Sequence, residues 1–262
     1  MSGFRQSFAI QRRVIGALII RETYSRFGRE NIGFFWVFGE FLIFALPVMA
    51  MWRFIRGPYE HGILVVSFVW SGYMPILLFR HMGARMLSAV RLNMSLFYHR
   101  NVTPFDAIVS RMAIEIIGNY GSAAISFLLL YHLGAVDWPY DMPLLFLGYL
   151  YMTWWCVAVG FFIAAFSDRT PIFEKVWSPV SYIYLAASGF PYMASWLPGW
   201  LRPIMLAVMP SLPCYEMIRG GLYGPKVHVY YDLTRLSFTL AGITLFGLLG
   251  LRDVRRYMVG EG

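Results

Sequence analysis

Glu40 stands in the middle of an apolar run, Arg111 and Glu115 open another, and Glu216 and Arg219 follow a proline-rich segment. Ionisable side chains in such surroundings are costly unless they face a partner or a polar cavity, so these five are the first candidates for chemistry. The spacing lets Glu216 pair with Arg219, and Arg111 with Glu115, along one helix face. Structural pairing and the lining of a polar pathway both stay open for them. Glu40 has no partner nearby in sequence, which makes it the stronger functional candidate.

Reaction chemistry finds little else to use. Lys175 follows Glu174 and Lys226 follows Pro225, and these are the only lysines, so a Gly-x-x-x-x-Gly-Lys-Ser/Thr phosphate loop is absent and ATP hydrolysis by that route is not expected. His61, His81, His99, His132 and His228 are scattered without the i, i+4 spacing that converges ligands on a metal, which predicts packed or interfacial roles and no metal site. Ser188-Gly189 follows Ala186 rather than a first glycine, and small residues at a helix contact explain this stretch better than a serine nucleophile. No Asp-x-Asp pair occurs, and Cys156 and Cys214 form no Cys-x-x-Cys motif. No catalytic residue is predicted.

The elements that must hold these residues are long and apolar. Six stretches, 32–52, 63–79, 112–133, 144–166, 176–193 and 236–251, approach the roughly 20 residues that a helix needs to cross a bilayer core. Basic residues between them alternate from crowded to sparse: six lie before residue 32, five at 80–111, two at Arg169 and Lys175 and three after 251, against two at Arg53 and Arg56, none at 134–143 and four at 202–235. With both termini in the cytoplasm, sixteen of the 22 lie inside and six outside, the asymmetry that orients membrane proteins. This accounts for most of the net charge of +8, leaving little reason to invoke nucleic acid. With 58% hydrophobic and 14% charged residues and no polar linker, residues 1–262 read as one membrane domain. The apolar run at 14–20 is short, broken by Arg21 and followed by no cleavage site, so it is expected to remain in the mature protein.

The expected fold is an all-α integral membrane domain of six transmembrane helices. An N-terminal amphipathic interface helix (1–30) precedes them, a cytoplasmic coupling region spans 80–111, and an external re-entrant hairpin (191–220) stands before the last span. The first rests on apolar Phe8, Ile15, Leu18, Ile19 and Tyr24 alternating with Gln11, Arg12, Arg13, Arg21, Glu22 and Arg26. It serves either as an anchor on membrane lipids or as a lateral gate for a lipid-bearing substrate. Residues 81–103 predict a short helix with an apolar face and a turn at Thr103-Pro104; such a helix can dock on a partner, and 167–175, with Glu174, can supply a second contact on the same face. Residues 176–201 are uncharged but interrupted by Pro179, Gly189, Pro191 and Pro198, so the span should end near Pro191 and give way to a hairpin. Aromatics make up 18% of the chain. Those at span ends suit interfacial belts, whereas Trp70, Tyr73, Trp154, Trp155, Tyr182 and Tyr184 lie deeper and present flat faces suited to sugars.

Three groups of residues carry a family resemblance. The run Arg21-Glu22-Thr23-Tyr24-Ser25-Arg26-Phe27-Gly28, followed by Gly33-Phe34-Phe35-Trp36 and Glu40, is the first. The second is Leu96-Phe97-Tyr98-His99-Arg100-Asn101-Val102-Thr103-Pro104-Phe105-Asp106, with Arg111 and Glu115 beyond, and the third is Pro210, Glu216 and Arg219. Together they resemble the ABC-2 type permeases of bacterial capsular-polysaccharide exporters, the KpsM-like transmembrane subunits. Phe41, Met209 and Pro213 stand where that family often has Pro, Asn and His.

The resemblance implies a multi-pass protein of the bacterial inner membrane that pairs with a second copy of itself. Each copy joins a separate ABC ATPase subunit, which holds ATP and Mg; this chain carries no cofactor. The cargo is a lipid-linked polysaccharide moving through a channel at the dimer axis, with periplasmic and outer-membrane polysaccharide export proteins beyond. On this reading Trp36, Glu40, Trp70, Tyr73, Trp154, Trp155, Tyr182, Tyr184 and Tyr192 are candidates for the substrate channel. Arg21, Tyr24, Arg26 and Phe27 form a cytoplasmic gate, Arg91, Phe97, Tyr98, Arg100, Asp106 and Glu174 couple to the ATPase, and Pro210, Glu216 and Arg219 belong to the external re-entrant segment. Export of O-antigen or teichoic acid, or lipid or drug efflux, is the same-fold alternative. A membrane acyl or glycosyl transferase acting on a lipid-linked sugar is the alternative from another class, and it lacks a visible acid/base or metal constellation.

Overall fold

Each of the six apolar stretches forms a helix, and among the described residues three further α-helices lie before and between them. The computed structural model describes residues 2–27, 32–57, 59–60, 62–87, 89–94, 102–167 and 171–260. In chain order these hold α1 (Ser2–Phe27), α2 (Ile32–Arg56), α3 (Val65–Met86), α4 (Pro104–His132), α5 (Met142–Ser167), α6 (Pro171–Ala187), α7 (Leu201–Val208), α8 (Ser211–Tyr223) and α9 (Leu233–Gly260). Two two-residue strands, β1 (Tyr59–Glu60) and β2 (Ile63–Leu64), pair antiparallel between α2 and α3. The expected second span accordingly begins two residues later than its apolar run, because that run starts with a strand.

Among the described residues, four helices are long and apolar enough to cross a membrane: α2 over Phe38–Arg56, α4, α5, and α9 over Leu233–Arg252. The sequence led to an expectation of six. Helix α6 is 17 residues long. Helix α3 carries Ser67, Ser71, Tyr73, Arg80, His81 and Arg85, yet most of it is buried against α2, α4, α5, α6 and α8. A helix wrapped by protein need not be apolar all round, since its polar groups can meet partners instead of lipid.

Helix starts and breaks follow local chemistry. Thr103 caps α4: its hydroxyl accepts from the Asp106 amide at 3.3 Å while the Asp106 carboxylate accepts the Thr103 amide at 3.0 Å, and Pro104 follows at the first helical position. Pro179 lies inside α6 without ending it. The helix ends at Ala187, its seventeenth residue, followed by Gly189 at φ 96°, a conformation that favours glycine.

Lipid offers no hydrophobic drive for helices to associate, so close packing must come from small residues. Backbones approach most closely between α5 and α8. A Cβ at Gly148 would stand 2.7 Å from the Ile218 amide nitrogen, and one at Gly221 would stand 2.5 Å from that of Leu145. The two backbones thus touch through glycine, and all thirteen residues of α8 are buried. Helix α6, in contrast, packs on one side only and leaves Ile172, Val176, Val180, Tyr182 and Ile183 exposed.

Candidate functional site

Charge is concentrated at two centres on α3, near its beginning and near its end. At the first, Arg219 of α8 is wholly buried and its guanidinium lies 4.1 Å from the centre of the Phe68 ring. Its terminal nitrogens donate to the carbonyls of Gly189 (2.9 Å), Phe190 (2.6 Å) and Tyr192, while its Nε–H finds no acceptor among the described residues. Glu216, also wholly buried, accepts from the amides of Ala194 at 2.9 Å and Tyr230 at 3.1 Å. Pairing along one helix face was one of two readings open to them; their hydrogen bonds go to the irregular backbone around α8, while their opposite charges still act on each other. That backbone has lost its helical hydrogen bonds, and buried peptide groups must recover partners somewhere. Arg202 extends the pattern by donating to the Ala194 carbonyl at 2.9 Å. Nearby, the Tyr184 hydroxyl donates to Ser211 at 2.6 Å and Ser211 to the Ser188 carbonyl at 2.7 Å.

The second centre lies about 20–25 Å further along α3 by helical rise. Arg85 meets Glu40 of α2 at 3.2 Å and Glu115 of α4 at 3.5 Å. His81 Nδ1 stands 3.9 Å from each of the same carboxylates, with its ring stacked on Phe41 at 4.5 Å. Glu40, unpartnered in sequence, is therefore a member of a three-helix ionic cluster. Arg111 reaches Glu22 of α1 at 3.2 Å. Helical register accounts for these contacts, because Glu40, Arg85, Glu115 and Arg111 each face a neighbouring helix.

Beside this cluster a cavity of about 260 Å³ opens between α2, α3 and α6. Tyr73, Arg80 and His81 enter it from α3, and Ser178, Ser181 and Tyr182 from α6. The Arg80 guanidinium sits 4.6 Å from the centre of the Tyr182 ring. A second cavity of about 390 Å³ lies between α7 and the starts of α8 and α9, walled by Pro210, Tyr230, Tyr231, Asp232 and Arg235. Among the described residues, no group of three or more His, Cys, Asp or Glu side chains has the arrangement of a metal site.

The candidate channel residues divide accordingly. Tyr73 and Tyr182 share the α3–α6 cavity, and Glu40 reaches it through His81. Trp155 and Tyr184 stack with Phe79 in the interior, at 6.3 and 4.3 Å. Trp70 donates to Ser126 at 2.9 Å and Trp154 to Thr244 at 3.0 Å, each tying two helices together. The Tyr192 hydroxyl donates to the Ala187 carbonyl at 2.6 Å, and Trp36 is exposed on α2. Of the gate candidates, Arg21 and Tyr24 are exposed on α1; Arg26 and Phe27 also belong to α1, and their side chains lie outside the described ones. Of the coupling candidates, Arg91 and Glu174 pair at 2.7 Å on the surface, while Asp106 is buried in the α4 cap, where it also accepts from Gln11 of α1 at 3.1 Å. Phe97, Tyr98 and Arg100 lie outside the described residues.

Sequence reasoning placed Arg80 and His81 at the start of the coupling region 80–111 and gave neither a place in the site. The signal was present: Tyr73, Leu77, Arg80 and Ala84 recur at four-, three- and four-residue steps, one face of a helix.

No family model matches the chain. It is 34% identical over 259 residues, covering 99% of this chain and 96% of the relative, to the capsule polysaccharide export inner-membrane protein CtrC of Neisseria meningitidis serogroup A. It is 32% identical over 250 residues, 95% of this chain and 94% of the relative, to the capsule polysaccharide export inner-membrane protein BexB of Haemophilus influenzae. The polysialic acid transport protein KpsM of Escherichia coli is 29% identical over 111 residues, 42% of this chain and 43% of the relative. With nearly its whole length matched at this level, the chain belongs to the family of capsule polysaccharide export inner-membrane proteins.

Proposed function

We propose that this chain is the permease subunit of an ATP-driven exporter that carries lipid-linked capsular polysaccharide across the bacterial inner membrane. The observation that carries this reading is the nearly full-length match to capsule export proteins. The chain supplies a path rather than a reaction. ATP and Mg belong to a separate ATPase subunit, in keeping with the missing phosphate loop.

The finer arrangement is also a proposal. Residues 1–262 form one domain in which α2, α3, α4, α5, α6 and α9 cross the membrane, both termini are cytoplasmic, and α7 and α8 form a hairpin re-entering from outside. Two copies associate around a shared axis, each contributing the same surfaces. The one-sided packing of α6, with its exposed apolar face, supports that association. Polymer then moves past the aromatic residues of both copies, among which Tyr73 and Tyr182 border an accessible cavity. Helix α1 gates lateral access of the lipid end. ATP-driven closure of the ATPase pair reaches the spans through residues 91–100, and the ion pair between Arg91 and Glu174 supports a joint docking face with the start of α6. Periplasmic and outer-membrane export proteins take up the polymer beyond the membrane.

Reconstitution tests the reading. Purified chain alone in proteoliposomes should hydrolyse no ATP, and together with its ATPase partner it should move lipid-linked polymer to the far side only when ATP is supplied. Turnover of a lipid-linked sugar by the chain alone would instead favour the transferase alternative.

A further inference from the structure

Among the described residues, the cation at the α3–α6 cavity, Arg80, has no counter-ion. Both carboxylates near the end of α3, Glu40 and Glu115, are engaged by Arg85 and His81. Arg80, one turn earlier, pairs with no carboxylate and donates to no acceptor among the described residues. Its described contact is the Tyr182 ring, 58% of whose residue surface is exposed. Stacking occupies the flat face of a guanidinium, whereas its N–H donors radiate in the plane as a fork matched to phosphate or carboxylate oxygens. Ser178 and Ser181 add hydroxyls to the same wall, and the Ser181 hydroxyl donates to the Ser178 carbonyl at 2.7 Å.

From this geometry we infer that the cavity binds the phosphate of a lipid headgroup, with Arg80 as its counter-ion and Tyr182 holding the guanidinium in place. This deepens the exporter reading and rests on it for the meaning of the site, although the binding itself can be tested separately. Size agrees: about 260 Å³ falls below the roughly 300–1,000 Å³ of pockets that enclose a drug-sized molecule, so it suits a headgroup rather than several sugars. The surroundings agree as well. Phe44 of α2, half exposed, lines the cavity together with Leu77, Leu87 and Trp177. An apolar rim beside a lone cation fits a molecule with acyl chains attached to its anion, and a soluble anion has no use for that rim. The phosphate comes either from the lipid end of the cargo or from bulk anionic phospholipid.

Full-length chain in phosphatidylcholine nanodiscs, titrated with phosphatidic acid or phosphatidylglycerol, gives the test, with bound lipid read by native mass spectrometry. Arg80→Gln should weaken retention of both anionic lipids about fivefold, the loss expected for one basic residue at a lipid phosphate. Arg80→Lys should fall between, and phosphatidylcholine retention should not change. Tyr182→Ala, at an exposed ring that does not endanger folding, should weaken anionic-lipid retention in the same direction. Unchanged retention in Arg80→Gln and Tyr182→Ala would overturn the inference. In a strain lacking the chromosomal copy, impaired capsule export by Arg80→Gln identifies the cargo's own lipid end as the source. Normal export with lost retention identifies bulk phospholipid, and the site then stands as a lipid site. If even deletion of the chain left export intact, the exporter reading would fail while the binding measurement kept its meaning.

Discussion

The two charged centres on α3 use similar side chains to opposite ends. Around α8, Arg219 and Glu216 are wholly buried and address backbone groups, replacing hydrogen bonds that the chain forfeits where helix gives way to irregular structure. Around the end of α3, Arg85 and His81 are partly exposed and address carboxylates on two other helices, and Arg80 beside them is left over. A buried ion whose polar atoms are engaged by its own fold is a structural brace. An accessible cation whose neighbours are already matched to others is where a ligand can add something.

The contrast breaks most readily at Arg219. Its replacement by Ala leaves buried carbonyls and the Glu216 charge without their cation, a loss of about 3–5 kcal/mol that should appear as failure to accumulate folded protein. Arg219→Lys should not restore it, because one ammonium cannot reproduce a planar fork over three carbonyls. Recovery of full stability with Lys, measured by thermal unfolding in detergent, would show that charge alone matters there.

At the other centre the effect should be smaller and divided. A double-mutant cycle between Arg85→Ala and Glu115→Gln should give a coupling of about 0.5–3 kcal/mol, and the cycle with Glu40→Gln should lie lower in that range. The reason is burial: the Glu115 side chain is 3% exposed and that of Glu40 is 24%. Equal couplings would mean that solvent does not separate the two carboxylates.

Tyr184→Phe sharpens the comparison from within the first centre. It removes one hydroxyl from the chain through Ser211 to Ser188 and should cost about 0.5–1.5 kcal/mol, read as a shift in unfolding midpoint, with stacking on Phe79 retained.

The smallest stability effect belongs to Arg91 and Glu174. Exposed ion pairs contribute about 0.2–1 kcal/mol, so charge reversal at Arg91 should barely change unfolding. It should nevertheless reduce copurification of the ATPase subunit. Unchanged assembly and export would remove Arg91 from the docking face.

Much of the fold was legible because its signals are local. Apolar runs and prolines act within a few residues, and the corresponding helices and break are found close to where they were expected, while the turn expected at Thr103-Pro104 is the cap that starts α4. The pairing of Glu40 was not legible, since Arg85 lies 45 residues away on another helix and only the packing of α2 on α3 joins them. The full burial of α8 was hidden for a similar reason: Gly148 and Gly221 look like ordinary small residues until their backbones meet. Tyr73 and Tyr182 were singled out as aromatic, but their shared cavity depends on the register of α3 against α6. Apolar content also does not separate a span that faces lipid from a helix wrapped by protein, as α3 is, because burial among helices and contact with lipid both tolerate apolar residues.

Capsule on the cell surface, measured alongside lipid-linked polymer inside the cell, addresses export by this chain most directly. A strain lacking it should lose surface capsule and accumulate the polymer internally, and expression of the intact chain should reverse both. Normal surface capsule in the deletion strain, or loss of capsule with no internal polymer, would contradict the assignment of this chain to the export step.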